Sequence, residues 1–366
     1  METDYAIIGG GVVGLSVAWG LLRRGLTVTV LDGDDGSFRA SRGNFGLVWV
    51  QSKGMNQPRY AQWSQDSATI WADFANEVGD NTGQPIPLEQ NGGLDLHFSE
   101  ETLEKTVQRY EKLKEQLGGN YPYEVLGHNA LRKSEPHIGP KVVGAILHHQ
   151  DGHANPLKLL VALAADVRRL GGRVLTGKTV TDVTKPDAFR VICSDGTSVT
   201  SNKVVLSAGL GAAQIGPKMG FKAPIRPQRG QVLITERLPK LINRPSLIAR
   251  QVDEGGIQIG ATNEEVGLDD RVTQPGLSGL AAEAIAAYPE LARAQLVRSW
   301  GALRILSPDG LPIYQQSAEM PGAYLVTCHS GITLAAAHAR LLPDWLEGTD
   351  AAPDLEVFSE NRFSVS

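Results

Sequence analysis

The N-terminal segment constrains the fold of this chain more than any other part of its sequence. The apolar residues 5–8 precede the segment GGGVVG at 9–14, apolar residues recur at helical spacing over 15–24, and a second apolar run over 26–31 ends at Asp32. A strand, a Gly-x-Gly-x-x-Gly turn, a helix and a second strand within about 30 residues are typical of the β-α-β unit that binds dinucleotides. The sequence therefore predicts a Rossmann-type domain at the N-terminus.

Each position of this motif has a physical role in holding a dinucleotide. Gly9 permits the tight turn, Gly11 lets the backbone approach a pyrophosphate, and Gly14 lets the helix pack closely against the strand. The first helical residues, Val12 and Val13, offer free N–H groups and the positive end of the helix dipole to the phosphates. We therefore expect all five residues to bind the cofactor.

Asp32 closes the second predicted strand, where a carboxylate accepts hydrogen bonds from ribose hydroxyls. A carboxylate at this place disfavours the 2′-phosphate of NADP. The β-α-β unit alone is compatible with NAD or FAD. The extreme N-terminal position of the motif, and the later returns of the chain to the same domain, favour FAD.

Composition excludes several other classes of protein. The chain has 366 residues, which suggests about two domains, and 42% of its residues are hydrophobic, enough for a sizeable core. The net charge of −5 argues against nucleic-acid binding. Two cysteines cannot build a disulfide framework, so a reducing compartment is expected. No apolar run is long enough to span a membrane, so we expect a cytoplasmic protein, associated with membranes only through partners.

The order of predicted elements indicates two interleaved domains. We assign residues 1–50, 149–216 and 299–366 to an α/β FAD-binding domain, and residues 51–148 and 217–298 to an α+β substrate-binding domain with a mixed, largely antiparallel sheet. Within them, the patterns predict helices over 60–78 and 331–346 and a strand over 174–183. Asp195-Gly196 between two apolar runs predicts a β-hairpin.

The longest motifs, taken together, resemble the D-amino-acid oxidase family of FAD-dependent oxidoreductases. The segments that carry the resemblance are DYAIIGGGVVGLSVAWGLLRRGLTVTVLD at 4–32, SRGNFGLVWVQ at 41–51, DGHANP at 151–156, VVLSAGLGA at 204–212, WGALRILSPDGLP at 300–312 and CHSGITLAAAHARLL at 328–342. The whole chain is similar to glycine oxidases and to flavin subunits of multi-subunit amine dehydrogenases. The segment 41–51 resembles the B subunits of opine oxidases, D-hydroxyproline dehydrogenases and the C subunit of hydrogen cyanide synthases.

The resemblance implies FAD, a Rossmann-type FAD domain and a mixed sheet over the flavin. The family often attaches its flavin covalently through His or Cys, and neither occurs between positions 33 and 50, so we expect non-covalent FAD. The remaining expected FAD contacts come from four segments, namely the loop residues Ser41, Arg42, Gly43, Asn44, Gly46 and Leu47, the strand residue Val180, the pair Ala208 and Gly209, and Ser330, Gly331, Ile332, Thr333 and Leu334 at the start of the last helix.

Two residues are expected to act on the substrate. The segment containing Arg304 resembles the family's G-x-R segment, whose arginine holds the substrate carboxylate, and a guanidinium offers two parallel hydrogen bonds to such a group. The family usually has proline next, where this chain has Ile305. His329, just before the predicted helix, is the second candidate. We expect no metal site, because the histidines at 148, 149 and 153 lack an accompanying cluster of acids or cysteines.

The resemblance also implies oxidation of a C–N bond in an amino acid, imino acid or opine with a free carboxylate, by hydride transfer to flavin N5. The leading hypothesis is a catalytic β subunit of a hetero-oligomer, which passes electrons to a second flavin or ferredoxin-like partner subunit. FMN at a subunit interface is then a further cofactor, and any iron–sulfur centre lies only in partner subunits, because two cysteines cannot ligate it here. The alternatives are a free-standing glycine or D-amino-acid oxidase that uses O₂, and a non-catalytic flavin-bearing scaffold subunit.

Overall fold

The computed structural model describes residues 2–33 and 39–364. The strands are β1 Glu2–Ile8, β2 Val28–Asp32, β3 Leu47–Val48, β4 Leu88–Glu89, β5 Gly93–His97, β6 Glu124–Gly127, β7 Gly144–His148, β8 Gly152–Ala154, β9 Arg173–Thr176, β10 Val180–Thr184, β11 Phe189–Cys193, β12 Ser198–Leu206, β13 Arg226–Arg237, β14 Ala249–Gln251, β15 Gly256–Gly260, β16 Leu296–Leu306, β17 Ile313–Gln316 and β18 Ala323–Thr327. The helices are α1 Val12–Leu22, α2 Pro58–Thr69, α3 Trp71–Thr82, α4 Glu100–Gln116, α5 His128–Ser134, α6 Pro156–Arg169, α7 Ala212–Ile215, α8 Gln274–Ala287, α9 Ala335–Arg340 and α10 Leu342–Glu347.

The first sheet is the scaffold that the N-terminal motif predicts. β1 pairs in parallel with β2 and with β12, and β2 pairs in parallel with β9. On its other side β12 pairs first with β11, antiparallel, and then with β18, parallel. The hairpin predicted at Asp195-Gly196 connects β11 to β12. The carboxyl ends of β1, β2, β12 and β18 therefore meet at one edge, where α/β proteins bind ligands.

Helices cover this sheet, and α1 packs closely against two of them. α1 packs on α6 and α9, and its residues are buried from Gly14 to Leu22. A Cβ added at Gly20 would lie 2.0 Å from the carbonyl oxygen of Ala339, so only glycine allows α1 and α9 to approach this closely. The buried Trp19, Trp71 and Phe74 fill the space between α1 and α3 with edge-to-face ring contacts.

The second sheet is antiparallel and has the order β14-β15-β13-β16. Residues 47–154 contribute two small antiparallel sheets, β3-β8-β4 and β5-β7-β6. The fold is α/β, as the sequence predicts. The first sheet is mixed, whereas the second sheet, which the sequence predicts to be mixed and largely antiparallel, has only antiparallel pairings among the described residues. The domain limits stay a prediction. β16 crosses the predicted boundary at 299 and pairs along its length with β13, so Arg304 lies in the second sheet.

Several predicted elements are divided in the structure. The helix predicted over 60–78 is two helices, α2 and α3, which meet at Ile70. The strand predicted over 174–183 is two strands, because the chain turns at Gly177 with φ +68°. The last predicted helix, 331–346, begins only at Ala335 and breaks between α9 and α10, where Pro343 occupies the first turn of α10. Proline has no N–H to continue the hydrogen bonding of the preceding helix.

Candidate active site

A cleft of about 590 Å³ opens at the carboxyl ends of the parallel strands. Its lining includes Gly9, Gly11, Val13, Asp32, Ser41, Val180, Ala208 and Gly209 from the expected FAD contacts, together with Arg39, Leu268, Asp270, Leu303, Ile305 and Cys328. These residues come from segments that are far apart in the sequence. The cleft therefore runs from the N-terminal turn to the turn that follows β18.

The glycine-rich turn forms a cradle that a side chain would fill. Gly9 has φ +112°, and a Cβ there would lie 2.5 Å from the carbonyl oxygen of Ser207. A Cβ on Gly14 would lie 2.0 Å from the carbonyl oxygen of Gly9. The backbone N–H of Val12 points out of the helix and donates to Ser41 Oγ at 3.1 Å. The bare backbone and this helix start fit the pyrophosphate of a dinucleotide such as FAD.

Asp32 lies at the end of β2 in the cleft, as the motif predicts. Its Oδ1 accepts a hydrogen bond from Arg39 Nη1 at 2.7 Å. The carboxylate is partly buried, and both residues line the cleft. A carboxylate has lone pairs for more than one donor, so this ion pair is compatible with a ribose hydroxyl on the same group.

The opposite wall comes from β10 and from the segment after β12. Val180 lines this wall, and so do Ala208 and Gly209, the latter with φ +57°. Leu268 and Asp270 close the cleft from the loop after β15, which belongs to the second sheet. Sequence reasoning missed Leu268 and Asp270, since no local motif marks them.

Loop 41–47 connects the cleft to the second sheet. Gly43 accepts a hydrogen bond from Trp300 Nε1 at 3.1 Å, and Asn44 Oδ1 accepts from the N–H of Gly46 at 2.7 Å. Arg42 is exposed and does not line the cleft. Gly46 packs against the buried Arg250, whose Nε donates to the carbonyl of Phe45.

Leu47, the last expected contact in this loop, belongs to β3 and accepts a hydrogen bond from Thr333 Oγ1 at 3.3 Å. This bond joins the loop to the turn over 328–334, which follows β18. In that turn Cys328 lines the cleft, and Gly331 lies so close to Val12 that an added Cβ would be 3.0 Å from its Cγ1. The turn therefore lies against the start of α1.

The other residues of the turn have structural partners. Trp71 Nε1 donates to the carbonyl of Ile332 at 2.9 Å, and Ser67 Oγ donates to that of Thr333 at 2.7 Å. The N–H of Leu334 donates to the carbonyl of Ser330 at 2.9 Å. Helix α9 begins only after this turn and has six residues. The expected helix start at 330–331 is thus wrong, and a helix dipole cannot be assigned to Ser330 and Gly331.

Arg304 lies on the face of β16 that is opposite to the cleft. Leu303 and Ile305 line the cleft, and successive side chains of a strand point to opposite faces. Arg304 Nη1 donates to the carbonyl of Thr262 at 2.7 Å and to Gln228 Oε1 at 3.2 Å. Among residues 2–33 and 39–364, no carboxylate forms an ion pair with it. Burial lowers the pKa of this guanidinium.

The positive charge of Arg304 acts on His329, the second residue that is expected to contact the substrate. Loss of solvent, followed by the charges of Lys53 and Arg304, lowers the pKa of His329 to about 3. The imidazole is therefore neutral at physiological pH. The structure brings Arg304 and His329 into one electrostatic neighbourhood, together with Lys53.

A second cleft, of about 740 Å³, borders Lys53 and Tyr60. Its other lining residues are Ser52, Gly54, Met55, Asn56, Gln57, Arg109, Asp309, Gly310, Leu311, Val357 and Arg362. Lys53 Nζ donates to Ser330 Oγ at 2.6 Å, and Tyr60 OH lies 2.8 Å from the same oxygen. The Ser330 hydroxyl is thus held by two residues that line the second cleft.

The structure also describes possible metal ligands, the cysteines and the lengths of the helices. Within the described ranges, no group of three or more His, Cys, Asp or Glu side chains is placed to hold a metal ion. Cys193 and Cys328 are free and buried. In the same part of the chain, every helix is too short or too polar to cross a membrane.

The fold and the cleft are those of a dinucleotide-binding protein. Residues 4–345 match the family model described as "DAO: FAD dependent oxidoreductase". The chain belongs to this family, as its sequence motifs predict, and it is an FAD-dependent oxidoreductase.

Individual relatives agree with this assignment. The chain is 40% identical to the opine oxidase B subunit of Rhizobium meliloti, over 100% of this chain and 98% of the relative. It is 31% identical to the hydrogen cyanide synthase HcnC subunit of Pseudomonas protegens, over 99% and 97% of the two chains. Its fold is similar to the crystal structure of glycine oxidase from Geobacillus kaustophilus, with a TM-score of 0.92, 25% identity and full coverage of both chains.

Proposed function

We propose that this protein oxidises a C–N bond in an amino acid, imino acid or opine with a free carboxylate, as the catalytic β subunit of a heteromeric dehydrogenase. FAD, bound without a covalent link in the first cleft, supplies the two-electron acceptor. The chain's own residues bind the cofactor, orient the substrate and exclude water. The single observation that carries the proposal is Arg304, a partly buried guanidinium that forms no ion pair with a carboxylate among the described residues, although the charge of Glu264 acts on it.

The surroundings of Arg304 support a carboxylate as its ligand. Thr262 and Gln228 accept hydrogen bonds from Nη1, whereas Nη2 and Nε donate to no group in the described part of the chain. A buried cation gains most from an anionic partner, and a guanidinium binds a carboxylate with two parallel hydrogen bonds. His329 adds a neutral imidazole to this neighbourhood. We propose that Arg304 holds the substrate carboxylate and that His329 contacts the substrate or flavin.

We also propose that the residues expected to contact FAD bind this cofactor. The lining of the cleft supports Gly9, Gly11, Val13, Asp32 and Ser41 as contacts of the dinucleotide. Loop 41–47 and the turn over 328–334 extend the binding surface toward the flavin. Arg42 is the weakest member, because its side chain is exposed.

The names of two relatives support a multi-subunit enzyme. The opine oxidase and hydrogen cyanide synthase relatives are each named as one subunit of a larger protein. We propose that electrons pass to carriers in a partner subunit, with FMN at the subunit interface and any iron–sulfur centre in the partner. The chain has two cysteines, too few for a cluster held by four thiolates. We place the complex in the cytoplasm, with partners as its only route to a membrane.

Anaerobic reduction of bound FAD tests the chemistry. The purified chain is loaded with FAD and mixed with opines, D-proline derivatives, sarcosine or glycine, and loss of flavin absorbance is followed. We expect at least one opine or imino acid to reduce the flavin. Arg304→Met is expected to raise the dissociation constant of that substrate at least about 10-fold, because hydrogen bonds to charged groups contribute about 1.5–3 kcal/mol each.

Arg298→Met provides a matched control, because Arg298 is exposed on the same strand. Unchanged reduction by the Arg304 variant would show that this site is wrong. No reduction by any member of the panel would favour the scaffold alternative. Peroxide formation by the isolated chain at rates close to turnover with a one-electron acceptor would favour the free-standing oxidase.

A further inference from the structure

Lys53, Ser330 and Tyr60 occupy the wall between the two clefts. Cys328, two residues before Ser330, lines the first cleft, whereas Lys53 and Tyr60 line the second. Ser330 Oγ accepts a hydrogen bond from Lys53 Nζ at 2.6 Å and lies 2.8 Å from Tyr60 OH. Ser330 is buried. A short hydrogen-bonded path therefore joins the turn beside the FAD cleft to the second cleft.

The surroundings of Lys53 make its ammonium unusually acidic. Loss of solvent is the main reason why its pKa falls to about 8; the charge of Arg304 also lowers the pKa, whereas Cys328 and Asp151 raise it. The titratable and charged groups that act on it are Cys328 and His329 in the turn after β18, Asp151 before β8, and Arg304 on β16. Tyr60 on α2 presents its ring 5.8 Å from Nζ.

The same surroundings affect the groups beside Lys53. Burial raises the pKa of Asp151 to about 7 and that of the Cys328 thiol to about 12. The Cys328 thiol therefore stays protonated near neutral pH, and the pKa of His329 at about 3 leaves its imidazole neutral. Lys53 and Asp151 are the groups here that change protonation near neutral pH.

We propose that Ser330 and Lys53 conduct a proton from the FAD cleft to the second cleft each time the reduced cofactor is reoxidised. This proposal rests on the proposed function only in that electrons leave through one-electron acceptors. Oxidation of a C–N substrate would leave two electrons and one transferred hydrogen on the bound cofactor. Two equivalents of a one-electron acceptor would remove the electrons, and one proton would then leave the site.

The atoms balance along the path. Ser330 Oγ accepts the proton, and its original O–H bond breaks as that hydrogen passes to the neutral amine of Lys53. The new ammonium then gives one proton to water in the second cleft, and Lys53 returns to the neutral form. Tyr60 is a positioning residue, since its hydroxyl fixes the orientation of Ser330 Oγ.

Stopped-flow reoxidation tests the path without any amino-acid substrate. Holoenzyme is photoreduced under anaerobic conditions and mixed with a ferricenium salt, and flavin absorbance and a pH indicator are followed together. We expect Lys53→Met to slow proton release at least 10-fold and to abolish its rise with pH through about 8. Lys53→Arg is expected to be as slow, because a guanidinium stays protonated. Ethylamine, which is small compared with the second cleft of about 740 Å³, is expected to restore proton release in Lys53→Ala.

Lys112→Met is the matched control, because Lys112 is exposed on α4, outside the lining of both clefts. Wild-type proton release in Lys53→Arg would show that only the positive charge matters and would overturn the proposal. So would a Lys53→Met variant that releases protons at the wild-type rate. The pKa of Lys53 is measured independently in the apoprotein by NMR after reductive ¹³C-methylation, with Lys53→Arg identifying the signal. A value near 10.5 would also overturn the proposal.

Because photoreduction replaces the substrate, these outcomes do not depend on which compound is oxidised. A chain that no amino-acid substrate reduces, but that releases protons through Lys53, would contradict only the proposed function.

Discussion

Replacement of Gly14 by alanine tests the close packing at the start of α1. An added Cβ would lie 2.0 Å from the carbonyl oxygen of Gly9 and 2.7 Å from Ser207 Oγ. Real Cβ contacts stay beyond 3.0 Å, so α1 and the turn must separate by about 1 Å. Both neighbours are parts of the cofactor cradle, and the first is backbone, which cannot rotate away. We therefore expect loss of stability and of FAD affinity together.

Two opposing effects determine the change in the free energy of unfolding that Gly14→Ala should cause. Overpacking of this kind costs about 1–3 kcal/mol, occasionally more. Alanine gains about 1 kcal/mol over glycine inside a helix. Because backbone must move, we place the cost at the upper end and expect the free energy of unfolding to fall by roughly 2 kcal/mol. A shift of the turn that weakens FAD binding about 10-fold corresponds to about 1.4 kcal/mol.

Gly279→Ala is the matched control, since Gly279 lies in α8 with no atom within 4 Å of an added Cβ. This variant should gain up to about 1 kcal/mol of stability and bind FAD normally. Urea unfolding of the apoproteins measures the first quantity, and FAD titration by fluorescence measures the second. If Gly14→Ala matched the wild type in both, the turn would be adaptable and the reasoning from close contact would be refuted.

Three further substitutions test the loop over the cleft and the buried core. Arg229→Met removes a buried guanidinium that pairs with Glu264 at 2.5 Å and Asp269 at 3.2 Å. Asp269 lies between Leu268 and Asp270, which line the cleft, so we expect Arg229 to anchor their loop. Urea unfolding should show a loss of about 1.5–3 kcal/mol and FAD titration a weaker affinity, while unchanged values would contradict this anchoring role. The hydrogen bond from Arg229 is the main cause that lowers the pKa of Glu264 from 4.5 to about 2. The Glu264 carboxylate therefore stabilises the fold above pH 4.5, and this contribution is lost as pH falls through about 2. Glu264→Gln should flatten an acid unfolding curve between these two pH values. Burial lowers the pKa of His338 from 6.5 to about 3, so the free energy of unfolding should fall as pH drops from 6.5 toward 3. The slope of the free energy of unfolding against pH should be smaller in His338→Leu. An identical slope would mean that His338 takes no part in acid unfolding.

Local signals explain which parts of the fold can be predicted from the sequence. The β-α-β unit and the hairpin at Asp195-Gly196 are predictable because glycine and apolar spacing act within a few residues. The break at Ile70 has no such signal, since neither glycine nor proline stands there, and the direction of α3 depends on the packing of Trp71 and Phe74 in the core. By contrast, Gly177 and Pro343 do signal the divisions of a strand and of the last helix.

The candidate site is predictable to the same extent. Gly9, Gly11, Gly14 and Asp32 belong to one motif, and all of them except Gly14 line the cleft. Leu268 and Asp270 reach the cleft only because β13 and β15 bring their loop across the sheet edge. Lys53 meets Ser330 across 277 positions of sequence, and no spacing rule connects such residues.

β16 links the cofactor cleft to the proposed substrate residue. Its alternation directs Leu303 and Ile305 to the cleft and Arg304 to the other face, where Thr262 and Gln228 hold the guanidinium. Because one strand carries both sets, a displacement of β16 moves a wall of the cleft and Arg304 together. After this strand the chain returns to the first sheet at β17 and β18. A chain that alternates between the two sheets thus lets a single strand set the distance between the two parts of the proposed site.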